Sequence, residues 1–321
     1  MASGAREDVL VVGAGVSGLT TAVVLADAGL RVRIVAADPP ERTFSAVAGA
    51  SWGPYMVTHG EILRWSAESF EGFAKISENS ASGVVMTPGL EAVDRVVELP
   101  TWARNVVGCS PCPPDELPEG YLSGWRYTIP LINMRVYLRY LVERLAESDV
   151  EIALTSPLTS LGSVNAGSLA VVNCTGLGSR ALVADENITP VRGQLVVVEN
   201  PGISEFFQDN VDGPDLTCIF PHGDHVVLGG VAAPDTGDLA VDPVLIGQIL
   251  ERCVKIEPRL ARARIIGHRV GLRPQRPQVR VERDPGAPGR LIHNYGHGGS
   301  GVTLSWGCAR EVLRLVTAGL A

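Results

Sequence analysis

The chain has 321 residues, 45% of them hydrophobic, enough for a large core and suggestive of two domains. Its 27 basic and 35 acidic residues leave a net charge of −8, which argues against a general nucleic-acid or anionic-membrane binder. No apolar signal core opens the sequence, no later run reaches membrane-helix length, and the closing Ala318-Gly319-Leu320-Ala321 is not a peroxisomal address, so the cytoplasm is the expected compartment.

Asp8-Val9-Leu10-Val11-Val12 is a continuous apolar run, as in a strand buried on both faces of a parallel sheet. It leads into Gly13-Ala14-Gly15-Val16-Ser17-Gly18, then a helical segment over 19–26 stopped by Gly29, then a strand over 31–35 ending at Asp38. In this G-x-G-x-x-G pattern Gly13 permits a tight turn, Gly15 lets the backbone approach a pyrophosphate, and Gly18 lets helix and strand pack closely. The helix start offers free N–H groups and a positive dipole end, and Asp38, about 20 residues beyond the last glycine, suits a ribose. Glycines alone would mark only a turn; strand, glycines, helix, strand and acid in one unit predict a dinucleotide site.

After Pro39-Pro40 come small residues (Thr43, Ser45, Ala46, Ala48, Gly49, Ala50, Ser51) that let a flat ring lie close, although a surface loop would look alike. A helix is predicted over 61–77, with Ile62, Leu63, Trp65, Phe70 and Phe73 on its apolar face. From 84 to 132 short segments rich in Val, Gly and Pro predict an antiparallel sheet and an inserted second domain. An amphipathic helix over 133–145 and strands over 150–154 and 169–172 return the chain to the first domain. Strands over 193–198 and 216–230 belong to the second, and a helix over 245–256 stops before Pro258.

A run of arginines follows: Arg259, Arg262, Arg264, Arg269, Arg273, Arg276, Arg280, Arg283 and Arg290. Alternate positions on the wet face of strands account for most of them. Arg273, in the proline-broken Gly271-Leu272-Arg273-Pro274, is the one expected to turn inward as a carboxylate fork. The last motif, Tyr295-Gly296-His297-Gly298-Gly299-Ser300-Gly301-Val302-Thr303, feeds a helix running to 316 and makes a second anion site. His293 and His297 lie there without a carboxylate or cysteine partner in the sequence, so they are expected to be structural and no metal is expected. Of six cysteines, Cys109 and Cys112 alone have ligand-like spacing, and a loop disulfide or two idle thiols are favoured over zinc.

These blocks resemble the D-amino-acid oxidase family of flavoproteins over nearly the whole length. The resemblance rests on the N-terminal glycine motif, on Val47-Ala48-Gly49-Ala50-Ser51-Trp52-Gly53-Pro54-Tyr55, and on Val172-Asn173-Cys174-Thr175-Gly176. It rests also on Arg192-Gly193-Gln194, on Val270-Gly271-Leu272-Arg273-Pro274, on 293–301 and on Trp306-Gly307-Cys308. It implies an α/β protein: a Rossmann-like FAD-binding domain (1–55, 133–190 and 260–321) interleaved with an α+β substrate domain on an antiparallel sheet (56–132 and 191–259).

The implied cofactor is FAD, lined by Gly13, Ala14, Gly15, Val16, Ser17, Gly18, Asp38, Thr43, Ser45, Gly49, Ala50, Ser51, Leu158, Thr175, Arg273, Gly298, Gly299, Ser300, Gly301, Val302 and Thr303. The helix after Thr303 would direct its dipole to the flavin pyrimidine end. Arg273 would bind the substrate carboxylate, the Gly299 carbonyl would accept from the amine, and Tyr55 would shape the pocket. The implied reaction is oxidative deamination of a D-amino acid, with hydride passing from Cα to flavin N5, dioxygen as oxidant, and an oxo acid, ammonia and hydrogen peroxide as products. One departure is Cys218, where the family usually has a tyrosine on the substrate carboxylate; a second tyrosine and a lid loop cannot be placed, since 209–215 has no tyrosine. A homodimer is left open.

Three alternatives accompany this reading: a glycine or sarcosine oxidase, a D-aspartate oxidase, which should need a second cation, and a non-catalytic dinucleotide-binding sensor. An NAD-dependent dehydrogenase leaves the motif over 291–303 without a role.

Overall fold

The computed structural model describes residues 8–100, 106, 108–164, 168–209, 215–234, 237–286 and 291–318. The chain opens with β1 (Val9–Val12), α1 (Val16–Asp27) and β2 (Val32–Ala36), then α2 (Ile62–Ile76), β3 (Val84–Val93), β4 (Ser110–Pro111) and β5 (Ser123–Ile132). It continues through α3 (Met134–Glu147), β6 (Glu151–Leu154), β7 (Ala170–Asn173), the single turn α4 (Ser179–Leu182), β8 (Thr189–Glu199) and β9 (Phe206–Asp209). It closes with β10 (Asp215–His222), β11 (His225–Val231), β12 (Ala233–Pro234), α5 (Pro243–Ile256), β13 (Ile265–Gln275), β14 (Arg280–Arg283), β15 (Leu291–Tyr295) and α6 (Ser305–Thr317).

Two sheets organise these elements. The smaller runs β14-β15-β7-β1-β2-β6, parallel throughout except for the edge strand β14. In β1, Val9 and Val11 enter the main core with α1, whereas Leu10 and Val12 pack on the other face with Val35, Leu161 and Val171. That two-sided burial is why the strand reads as unbroken apolar sequence. The larger sheet runs β12-β8-β11-β10-β9-β3-β5-β4, with β13 on β8, and is antiparallel apart from the β3–β9 pair. The α/β class with a Rossmann-like sheet and an interleaved antiparallel sheet is therefore as expected.

The structure differs from expectation at three places. Strand β13 pairs with β8 from Ile265 to Gln275, so the chain rejoins the smaller sheet at β14 rather than at 260. Arg273 is thus not at a break: it lies in the ladder opposite Val191, and Pro274 faces Pro190, where neither proline leaves a partner amide without its bond on the other. In α2 the face is set by Ile62, Trp65, Phe73 and Ile76, while Leu63 points to solvent at 60% exposure. No helix among the described residues is long and apolar enough to cross a membrane.

Candidate active site

One cavity of about 780 Å³ lies between the carboxyl ends of β1, β2 and β7 and the inner face of β8, β10, β11 and β13. At the first-sheet end the glycine turn is fixed by close contacts. Gly13 has φ +112°, and a Cβ there would lie 2.5 Å from the Cys174 carbonyl oxygen. A Cβ on Gly18 would lie 1.9 Å from the Gly13 oxygen, so α1 can approach β1 only without one. Gly15 meets only the Ser45 Oγ, at 3.1 Å, and otherwise opens toward the cavity. Helix α1 begins there with no side-chain cap and no acid in its first turn, which leaves its positive end for an anion. Ser45 accepts from the Val16 amide at 3.0 Å and so ties the 43–47 segment to that helix start.

Residues 13–17 line the cavity, as do Asp38, just past β2, and Thr43, whose hydroxyl donates to the Pro40 carbonyl at 2.7 Å. Gly49, Ala50 and Ser51 form one wall, pinned where the Ile132 amide donates to the Ala50 carbonyl. Leu158 and Thr175 close the far side, with the Thr175 hydroxyl donating to Asn173 Oδ1 at 2.8 Å. Gly298, Gly299, Gly301 and Val302 line it from the second glycine loop.

Three expected cofactor residues are not in the lining. Gly18 is a packing glycine. Ser300 is fully buried and exchanges hydrogen bonds with the Tyr55 amide and carbonyl at 2.6 and 2.7 Å. Thr303 does the same with Gly53, at 3.2 and 3.0 Å. Both hydroxyls clamp the 53–55 strap onto the glycine loop.

At the second-sheet end sits Arg273. Gly193 lies beneath it, and a Cβ there would come within 2.6 Å of Nη1, so the guanidinium lies on bare backbone. Nη1 donates to the Arg192 and Val231 carbonyls at 3.2 and 3.1 Å, which orients the fork without engaging Nε or Nη2. Burial pulls its pKa down, opposed by Tyr55 and Cys218. Tyr55 packs on Gly299, where a Cβ would lie 2.4 Å from its ring, and burial raises its phenol pKa, so it stays a donor. Burial pushes the Cys218 thiol well up as well, keeping it protonated.

Arg269 corrects the outward reading of the arginine run. It is two strand positions beyond Gly271 on the Arg273 face, 8% exposed, and donates to the Ala48 carbonyl at 3.3 Å. Burial, with Arg135 nearby, brings its pKa down to about 10. Arg290 and the 210–214 part of the expected lid region lie outside the described residues.

Both histidines have partners, and one of them is a carboxylate: His293 sits 2.8 Å from Asp284, and His297 pairs with Asn294 Oδ1 at 3.0 Å. Burial takes His297 down to about 4, so it is neutral at pH 7. Among the described residues there is no cluster of side chains that could hold a metal, and Cys109 and Cys112 are free thiols. Sequence reading missed Gly193, Arg269, Glu91, Gln208 and Asp209, all of which line the cavity. Only Gly193 carried a local signal, the Arg192-Gly193-Gln194 block.

The donor set fits FAD: a helix start with no acid in its first turn over a glycine turn, an acid beyond β2 and a small-residue wall share one cavity. Residues 8–315 match the family described as FAD dependent oxidoreductase. A D-amino-acid oxidase of Rubrobacter xylanophilus is 43% identical over 317 residues, covering 97% of this chain and 96% of that one. A D-aspartate oxidase of Homo sapiens is 34% identical over 325 residues, covering 96% and 94%. The crystal structure of glycine oxidase from Geobacillus kaustophilus superposes with a TM-score of 0.82 at 19% identity, covering 98% of this chain and 95% of that one, which is a likeness of fold. With a cradle that fits the cofactor and a match spanning nearly all its length, the chain belongs to the FAD-dependent oxidoreductase family.

Proposed function

We propose that the protein oxidises D-amino acids, taking a D-amino acid, dioxygen and water to an oxo acid, ammonia and hydrogen peroxide. The observation that carries this reading is Arg273, a half-buried guanidinium laid on Gly193 within the cavity that holds the dinucleotide cradle. Residues 13–17 and Asp38 would hold the adenosine and pyrophosphate end of FAD. Thr43, Ser45, the 49–51 wall, Leu158, Thr175 and the glycine loop at 298–302 would hold the rest. When bound, FAD supplies two-electron oxidation and returns the electrons to dioxygen.

The chain's own part is binding and orientation. Nε and Nη2 of Arg273 take the α-carboxylate as a charge-assisted fork, and the Gly299 carbonyl accepts from the neutral amine. Two fixed points on the substrate leave only the Cα hydrogen and the side chain to exchange places between enantiomers, which is how one hand is selected. Tyr55 closes the pocket over Gly299 with a protonated phenol. Cys218 gives a smaller wall than a tyrosine and no hydroxyl, so Arg273 carries the carboxylate with less help. Neither His297, engaged by Asn294, nor His293, paired with Asp284 outside the cavity lining, is positioned as a base.

The test is anaerobic reduction of the purified holoenzyme. D-Alanine should bleach the flavin spectrum and L-alanine should not; bleaching by glycine or N-methylglycine but by no D-amino acid would overturn the reading.

A further inference from the structure

Arg273 lies in β13 and Gly299 in the loop that leaves β15. The two strands belong to different sheets, so no ladder pairs one with the other. The chain leaving β13 instead lies directly on the glycine loop. The Gly298 amide donates to the Pro274 carbonyl at 3.0 Å. Gly296 has φ +79°, and a Cβ there would lie 2.9 Å from Arg276 Cδ, so the Arg276 stem rests on bare loop backbone. A Cβ on Gly298, where φ is +54°, would come within 2.5 Å of Gln275 Oε1.

Asp185 closes this contact from behind. It stands between α4 and β8, is 7% exposed, and like Arg276 is not part of the cavity lining. Its Oδ2 accepts from Arg276 Nε at 2.9 Å and from the Tyr295 phenol at 2.8 Å. Its Oδ1 accepts from the Asn187 amide and Nδ2 at 3.1 and 3.2 Å, so the carboxylate cannot turn without losing a partner. Tyr295 is fully buried and accepts from Arg280 Nη1 at 2.8 Å, which leaves its own proton for Asp185. Burial alone would raise the Asp185 pKa, but the Tyr295 and Arg276 donors outweigh it and hold the carboxyl below its ordinary value. One ionised oxygen therefore bonds the end of β13 on one side and the start of the glycine loop on the other. Arg276 is three residues beyond Arg273, and Tyr295 is four before Gly299.

We propose that Asp185 is a positioning residue for the reaction: by latching Arg276 to Tyr295 it sets the spacing between the Arg273 fork and the Gly299 carbonyl. The proposal rests on the function proposed above, which gives those two points to the substrate. A ligand held at one point is indifferent to their spacing. A ligand held at both is presented correctly only while the spacing is kept, and a misplacement of about 1 Å costs on the order of 100-fold in rate.

Propionate is D-alanine without its amine, so it engages Arg273 alone and serves as the control. The Asp185→Ala holoenzyme should be reduced anaerobically by D-alanine about tenfold more slowly than wild type, while its Kd for propionate, read from the flavin spectrum, changes less than about twofold. Tyr295→Phe cuts only the loop side of the latch and keeps the ion pair, so it decides the matter should Asp185→Ala fail to fold. It should show the same split, with reduction about threefold slower. Equal losses for D-alanine and propionate would make Asp185 a general support of the Arg273 end, and unchanged reduction would leave the latch without a role. Either result overturns this proposal and leaves the proposed function standing; if no D-amino acid reduces the wild-type flavin, both fall.

Discussion

A guanidinium resting on bare backbone can be displaced without being touched. Gly193→Ala would place a Cβ 2.6 Å from Arg273 Nη1 and break its alignment with the Arg192 and Val231 carbonyls. We expect KM for the favoured D-amino acid to rise about tenfold with kcat less affected, since the lost contact is made in ground and transition states alike. Arg273→Ala removes the fork itself and should cost about 100-fold or more in kcat/KM while the flavin spectrum stays intact. Steady-state kinetics on both variants decide the matter: activity unchanged in Arg273→Ala would mean that another group holds the carboxylate. Arg273 was legible in the sequence through its apolar neighbours, although the proline taken as a break sits inside a paired strand. Arg269 was not legible. In a strand facing a cavity, positions 269, 271 and 273 all turn inward, and alternation alone cannot say whether that face is wet or enclosed.

Among the elements, β1, α1 and the turn between them were the most readable, because the apolar run, the glycines and the helix follow one another within a single short stretch of sequence. The two outer glycines of that turn and the middle one do different work, and substitution should separate them. A Cβ at Gly18 would collide with the Gly13 carbonyl at 1.9 Å, so Gly18→Ala must push α1 off β1 and should yield little folded protein. Gly15 has φ −75° and meets nothing nearer than Ser45 Oγ, so Gly15→Ala should fold normally but bind FAD about tenfold more weakly, the methyl standing where a pyrophosphate approaches. Circular dichroism and flavin titration of the two proteins would show it; equal FAD affinity in Gly15→Ala and wild type would remove Gly15 from the cofactor site. By contrast, Gln208 and Asp209 on β9 gave no signal. Their partners are Glu91, Tyr127 and Thr217, brought in from other strands, and no local pattern records such meetings.

At the scale of the whole molecule, the buried histidines make stability depend on pH. In an unfolded chain a histidine takes up its proton near 6.5; in the folded protein His297, 3% exposed, does so only near 4. Between those values the unfolded state binds more protons, so stability should be full above pH 6.5 and fall as pH drops toward 4. A separation of that size corresponds to on the order of 3 kcal/mol from this one residue. His222, brought to about 4 chiefly by burial, adds to the loss in the same window. Carboxylates held down by partners, such as Asp284 beside His293 and Asp185 beside Tyr295 and Arg276, lose their contribution from about pH 5 downward, a window that meets the histidine one only at its acid end. His297→Gln can still donate to Asn294 Oδ1 but cannot take a proton, so its melting temperature should decline less than that of the wild type between pH 6.5 and 4.5. Parallel declines in the two proteins would assign the acid sensitivity to other groups and leave His297 as packing alone.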